Sequence, residues 1–173
     1  SDAALLEAEL AILNRDLKAA ERLLEGAITA SSSEALRQPM QRRLREILLA
    51  DPQERTAVDG RVFRRLQELS ITPAELAEVR VRESDWLLGL GRWTELADLM
   101  DETRSLPGDA LTPIVGDPER QVTIDGFRNH LARELVGSPM KSEFVSRLKR
   151  QLEQALRERD VEGMLRLVAL AQP

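Results

Sequence analysis

The 173-residue chain contains no cysteine, no tyrosine and a single histidine, His130. Without thiols there can be no disulfide, no thiolate metal ligand and no cysteine nucleophile, and the redox compartment leaves no mark on the composition. Cytoplasm and periplasm both stay open, with the cytoplasm favoured. One histidine excludes metal sites built from several imidazoles, and neither HExxH nor EF-hand spacing occurs, so no metal and no cofactor is expected. Aromatic residues make up 3% of the chain: Phe63, Trp86, Trp93, Phe127 and Phe144. The longest apolar run falls far short of the roughly 18 to 20 residues that span a bilayer, and no basic start leads into an apolar stretch. Lysine occurs only at Lys18, Lys141 and Lys149, against abundant leucine, alanine and arginine. That usage points to a GC-rich, bacterial coding sequence and carries no functional weight. The chain opens Ser1-Asp2-Ala3 without methionine, as expected of a matured N-terminus, an expression remnant or a domain excised from a larger protein.

What the chain has in quantity is helix-forming material. With 42% hydrophobic and 32% charged residues it has the balance of a helical protein rather than a sheet rich in Val, Ile, Thr and Tyr. A chain of this length builds one ordinary core, so a single all-α domain over 1–173 is expected. Four times a small polar residue precedes proline: Asp51-Pro52, Thr72-Pro73, Asp117-Pro118 and Ser138-Pro139. The side-chain oxygen can accept an N–H of a first helical turn, while proline at the first helical position gives up no needed donor. Asp51-Pro-Gln-Glu54 and Thr72-Pro-Ala-Glu75 extend the signal to a capping box.

Between these signals apolar residues recur at three and four. Leu6, Leu10 and Leu13 form one stripe and Leu17, Ala20, Leu23, Leu24 and Ala27 another, with a chain-reversing turn at Asn14-Arg15-Asp16. Pro39 predicts a short turn ending before it and a helix from there to about Ala50. Helices over 52–69, 73–89, 93–104, 119–136, 139–158 and 160–171 follow. Only 105–117, SLPGDALTPIVGD, reads as loop, dividing helical hairpins at 1–104 from C-terminal helices at 118–173. No strand asserts itself.

Three stretches share a helix, a tight polar corner and a second helix: LAILNRDLKAAERLL (10–24), WLLGLGRWTELADLM (86–100) and EQALRERDVEGMLRL (153–167). Leu17, Trp93 and Val161 coincide just past the corner, then Ala20, Leu96 and Met164, then Leu23, Leu99 and Leu167. This pattern resembles the tetratricopeptide-type helical hairpin, over about a third of the chain. The small residue of that pattern is present as Ala20 but replaced by Leu96 and Met164, and its glycine appears only as Gly91. The resemblance implies antiparallel helix pairs stacked as a solenoid, with a groove for partners. Any αα-hairpin in a compact bundle would produce a similar pattern.

Chemical motifs are scarce. Gly89-Leu90-Gly91 lacks the strand before it, and the third glycine or Gly-Lys-Ser/Thr after it, that a phosphate-cradling loop needs, so Gly91 reads as a helix C-cap. Trp86 and Trp93 beside it read as core anchors. His130 has no nucleophile or orienting carboxylate that one sequence can identify, and Glu75, Glu78 and Glu83 at helical spacing read as a solvated face. Residues 71–92, ITPAELAEVRVRESDWLLGLGR, look like a helix-turn-helix of the repressor type. The turn glycine is absent, the spacing from Ala77 to Val81 is about a residue short, and Glu83 and Asp85 would face phosphates, which disfavours nucleic acid as a partner.

Charge alternates along the chain, net −4 over 1–34, +4 over 35–65, −8 over 66–119 and +3 over 120–173, for a total of −5. Arg37, Arg42, Arg43, Arg45, Arg55, Arg61, Arg64 and Arg65 could form one basic surface, or pair with the acidic segment 66–119 in the same molecule. Together these features predict an all-α stack of helical hairpins acting as a protein-interaction, scaffolding or chaperone-like adaptor module without chemistry of its own. Its partner would be a protein or peptide held in a helical groove, with Arg42, Arg43, Arg45 and Arg65 as contacts. A helix-turn-helix regulator and a helical enzyme without a local motif are the alternatives. The amphipathic segment 142–160, with Phe144 or Val145, Leu148, Leu152, Ala155 and Leu156 on its stripe, could also pair between chains.

Overall fold

The computed structural model describes residues 2–50, 60–105, 108–109, 111–114 and 117–171. The protein is all-α, and its chain divides into two compact units, Ser1–Ile71 and Thr72–Pro173. The predicted helix start at Asp51-Pro52 lies outside the described residues.

The first unit contains α1 (Asp2–Leu13), α2 (Leu17–Ala30), α3 (Glu34–Ala50) and α4 (Arg61–Leu69), each packed on the next. The stripe on α2 is used as its spacing suggests, with Ala20, Leu24 and Ile28 buried. On α1 the outcome is reversed. Leu6, Leu10 and Leu13 point outward at 66%, 59% and 78% exposure, while Ala8 is fully buried. Alanine at Ala8 and Ala20 lets helices approach closely, so the alanine side of α1 is the one that packs. Helix α3 runs unbroken through Pro39, where the spacing predicts a boundary. Only the bond to the Ala35 carbonyl is lost, and both Ala35 and Pro39 lie on the exposed face, where water can satisfy that carbonyl.

The second unit contains α5 (Pro73–Leu90), α6 (Trp93–Glu102), a 3₁₀ turn (Thr103–Ser105), strands β1 (Leu111–Ile114) and β2 (Asp117–Thr123), then α7 (Ile124–Val136), α8 (Lys141–Glu158) and α9 (Val161–Ala171). One hydrophobic core joins all five helices, including Leu87, Leu96, Met100, Phe127, Leu131, Phe144 and Leu167, with Trp86 and Trp93 packed against it. Thr72 and Glu75 form the full capping box: the Thr72 hydroxyl accepts from the Glu75 N–H at 3.1 Å, and the Glu75 carboxylate accepts from the Thr72 N–H at 3.1 Å.

The antiparallel pair β1–β2 places strand at 111–114 and 117 within the expected loop and takes the first turn of the helix expected from 119. Leu111 pairs with Thr123, Thr112 with Val122 and Pro113 with Gln121, and the register shifts before Ile114 meets Asp117. Asp-Pro suits the start of a strand as well as a helix, because the proline φ is also compatible with extended backbone. The true cap is Thr123, whose hydroxyl accepts from the Gly126 N–H at 3.0 Å. After Ser138-Pro139, α8 begins two residues later than the spacing suggests; the Ser138 hydroxyl donates to the Leu135 carbonyl at 2.7 Å and accepts from the Met140 N–H at 3.1 Å.

The three sequence corners share one geometry. A residue in the left-handed region ends each first helix: Arg15 at φ 59°, Gly91 at φ 66° and Arg159 at φ 55°. Its N–H donates back to Ile12, Leu88 or Leu156 at 2.9, 3.1 and 3.2 Å, and the next N–H reaches Ala11, Leu87 or Ala155 at 2.9, 3.0 and 2.9 Å. The following helix then opens on Leu17, Trp93 or Val161. Asp16 and Asp160 cap it through their side chains at 2.9 Å, to the Ala19 and Gly163 N–H groups. Left-handed backbone costs an L-residue about 1 kcal/mol that glycine does not incur. Gly91→Ala is therefore expected to destabilise by about 1 kcal/mol, and Arg15→Gly and Arg159→Gly to stabilise by up to about 1 kcal/mol each. Chemical denaturation of the three variants checks this, and opposite signs at Gly91 and the two arginines are the required result.

Candidate functional site

Of the four arginines expected to meet a partner, two are committed within the first unit. The Nε and Nη2 of Arg43 on α3 donate to the two carboxylate oxygens of Glu9 on α1 at 2.6 and 2.7 Å, and its Nη1 to Glu46 at 2.7 Å. Arg65 on α4 repeats the arrangement with Glu25 on α2, at 2.7 Å twice, and with Glu68 at 2.8 Å. Each clamp ties a helix to the one two before it among the described helices. Both sit in the same pentapeptide pattern, RRLRE at 42–46 and RRLQE at 64–68, a repeat whose meaning depends on a glutamate far away in sequence. Arg42 and Arg64, first in each pattern, are exposed, and Arg45 is half-buried. Arg55 lies outside the described residues.

Arg43 finds Glu9 in 1–34 and Glu46 in its own helix, and Arg65 finds Glu25 in 1–34 and Glu68 of the acidic stretch 66–119, which also meets Arg147 of α8. Arg147 bonds Asp98 at 2.6 Å and Glu143 at 3.2 Å, and lies 3.5 Å from Asp101.

Gly91 closes α5 as a left-handed C-cap, and the residue before Gly89 continues that helix, so no strand delivers the chain to a phosphate. A single helix spans Pro73–Leu90, so 71–92 does not fold into the two helices and turn that a repressor-type motif requires. The guanidinium of Arg92 lies 5.1 Å from the Trp86 ring centre, which covers that indole. His130 is exposed on α7. The Asp85 carboxyl is held above its ordinary value of 3.8 because the surrounding protein desolvates it, with His130 and Arg82 acting the other way. Neither a hydrogen bond nor an ion pair joins His130 to Asp85. Among the described residues no group of His, Asp and Glu is placed to hold a metal ion, and no helix is long and apolar enough to cross a membrane.

An apolar groove lies in the second unit. A groove of about 250 Å³ runs between α8 and α9, walled by Phe144, Val145, Leu148, Leu152, Val168 and Ala171, with Lys149 on its edge. Val145 and Val168 remain 37% and 42% exposed, and Leu156, Val161 and Leu165 extend the apolar surface of the same two helices at 64%, 62% and 66%. The stripe on 142–160 anticipates this surface only in part: Phe144, Leu148 and Ala155 turn into the core, and Val145 and Leu156 turn out. Helix α8 also carries Lys141, Lys149, Arg150 and Arg157, all exposed. No family model, curated protein or solved structure matches the chain.

Two outcomes follow. In a double-mutant cycle, Arg65→Met with Glu25→Gln is expected to show a coupling of about 0.5 to 1 kcal/mol that shrinks as salt rises, because both side chains are about one-third exposed. A coupling of zero would remove the clamp's structural role. For Asp85, a folded-state pKa above the unfolded one means that ionisation costs stability as pH rises above 3.8, and the full cost is present at pH 7. Asp85→Asn is expected to raise Tm at pH 7, with the gain vanishing as pH falls through the carboxylate range.

Proposed function

We propose that the protein is an interaction and scaffolding module that takes an acidic, leucine-rich helix into the α8–α9 groove, and that the helix it takes is α1 of a second copy. The observation that carries this reading is a pair of unpartnered apolar faces of matching character. Helix α1 exposes Leu6, Leu10 and Leu13 at helical spacing and has no lysine or arginine; Glu7 is exposed beside them, while Glu9 is held by Arg43. The groove offers an apolar floor beside Lys149 and Arg150. Leucines at i, i+4 and i+7 are the anchors by which a helix seats in such a groove, and the opposed charges set its direction. The resemblance to tetratricopeptide-type hairpins supports the reading in kind, since stacked hairpins recognise partners through grooves of this sort.

A contact in which two different surfaces meet propagates from copy to copy. Three leucines bury less than the roughly 1,200 Å² of a standard stable interface, so the association should be weak, with a dissociation constant on the order of tens of micromolar, and dependent on concentration. Sedimentation velocity on the wild type should show mass rising with concentration up to about 1 mM. Leu10→Asp removes the inserted helix and Val168→Asp the groove, and each should leave a monomer. Mixed together, the two variants should form a one-to-one dimer that grows no further, because one contributes an intact groove and the other an intact α1. A wild type that stays monomeric, or a mixture that stays monomeric, overturns the proposal; in the latter case a symmetric contact or a different protein partner takes its place.

A further inference from the structure

Arg128 on α7 is the most buried charged residue described, at 3% exposure. Its Nε has no hydrogen-bond partner, and its nearest carboxylate oxygen is on Asp125, 4.0 Å from Nη1. That carboxylate is shared: Arg166 of α9 lies closer to it, at 3.3 Å. The Asp125 N–H donates to the Gly108 carbonyl at 3.1 Å. Gly108 passes so close that a Cβ there would fall on the Asp125 carboxylate and the Arg166 guanidinium. One aspartate is therefore shared by two arginines and lies nearer to Arg166 than to Arg128.

A buried charge without a hydrogen-bonded counterion is costly, and a group in that state is commonly completed by a ligand. Arg128 borders a cavity of about 210 Å³ together with Arg104 from the 3₁₀ turn and Arg166. Burial pushes the Arg128 guanidinium below its ordinary value; Asp125 and Asp101 act against this, and Arg166 and Arg104 act with it. An anion in the cavity would oppose the repulsion from the two neighbouring arginines.

The walls also state which anion fits. Asp160 and Glu162 border the same space, and Asp160 spends Oδ1 on the Gly163 N–H at 2.9 Å, so a second negative charge on the occupant meets repulsion. The volume equals on the order of seven liquid waters, below the 300 Å³ or so at which pockets begin to admit larger ligands such as nucleotides. The planar guanidinium of Arg128, which borders the cavity, offers paired N–H donors of the spacing that matches the two oxygens of one carboxylate. We propose that this cavity is a binding site for a singly charged carboxylate, held by Arg128 with support from Arg104 and Arg166. The carboxylate could belong to a free small organic acid or to a peptide.

The test titrates the whole chain with sodium acetate, with N-acetylglycine as the mimic of a peptide C-terminus, and with inorganic phosphate, at constant ionic strength in sodium chloride. Thermal unfolding should show a saturable rise in Tm, of about 5 °C at roughly a hundredfold excess over the dissociation constant, with either carboxylate. Arg128→Met should abolish the rise while unfolding at or above the wild-type temperature without ligand. Much tighter binding of N-acetylglycine than of acetate assigns the site to peptides, and equal binding assigns it to free acids. Should the variant not fold, the Arg128 Nε–Hε resonance of the wild type provides the readout, and it should shift saturably with N-acetylglycine and not with chloride. No Tm change up to 50 mM, the same change in Arg128→Met, an unmoved Nε–Hε signal, or phosphate binding more tightly than both carboxylates overturns the proposal.

Discussion

Three hairpins in this protein depend on ending one helix and starting another within two or three residues. The last carbonyls of a helix need donors, and at the three shared corners a left-handed residue turns two successive N–H groups back onto them. That closure places the next residue, Asp16, Arg92 or Asp160, at the N-cap and opens the following helix on a large apolar residue, Leu17, Trp93 or Val161. If the left-handed residue were lost, the chain would need a longer connection, and the apolar stripes on either side would no longer face each other. It is notable physically that arginine fills two of the three positions, since both corners then carry a strain that glycine would not.

Features governed by neighbours in sequence were legible before the structure. The capping box at Thr72 and Glu75, the turn at Asn14-Arg15-Asp16 and the left-handed Gly91 all rest on hydrogen bonds spanning at most five residues. The failures involve longer distances or signals with two meanings. Asp117-Pro118 suits a strand as well as a helix, and what decides between them is pairing with Leu111–Ile114. On α1 the leucines outrank the alanines by hydropathy, yet close helix approach selects the alanines. The candidate site was legible only in outline: α8 was marked as amphipathic, but which of its apolar residues stay exposed depends on α9. The pairing of Arg43 with Glu9 and of Arg65 with Glu25 could not be read from spacing at all, although the repeated RRLxE pattern was visible.

Arginine therefore plays three distinct parts here, separated by whether its donors are met. Arg43, Arg65 and Arg147 are saturated by carboxylates on other helices and act as ties between them. Arg42, Arg64 and Arg150 face water, where a guanidinium costs nothing to keep. Arg128 is enclosed and unmet. A count of basic residues along the chain treats all of these alike, and so the charge map pointed to the 35–65 block while the least satisfied guanidinium lay in the second unit.

The small sheet has one further implication. Two strands alone leave both outer edges open, and open edges are where other chains add themselves to form aggregates. Pro113 within β1 and Pro118 within β2 each lack the N–H that an incoming strand would use. The register shift at Ile114 also breaks the straight ladder that a stacking neighbour would extend. Pro113, which made this stretch read as a loop, and Pro118, which read as a helix start, thus guard the only described extended segment against becoming a template for misassembly.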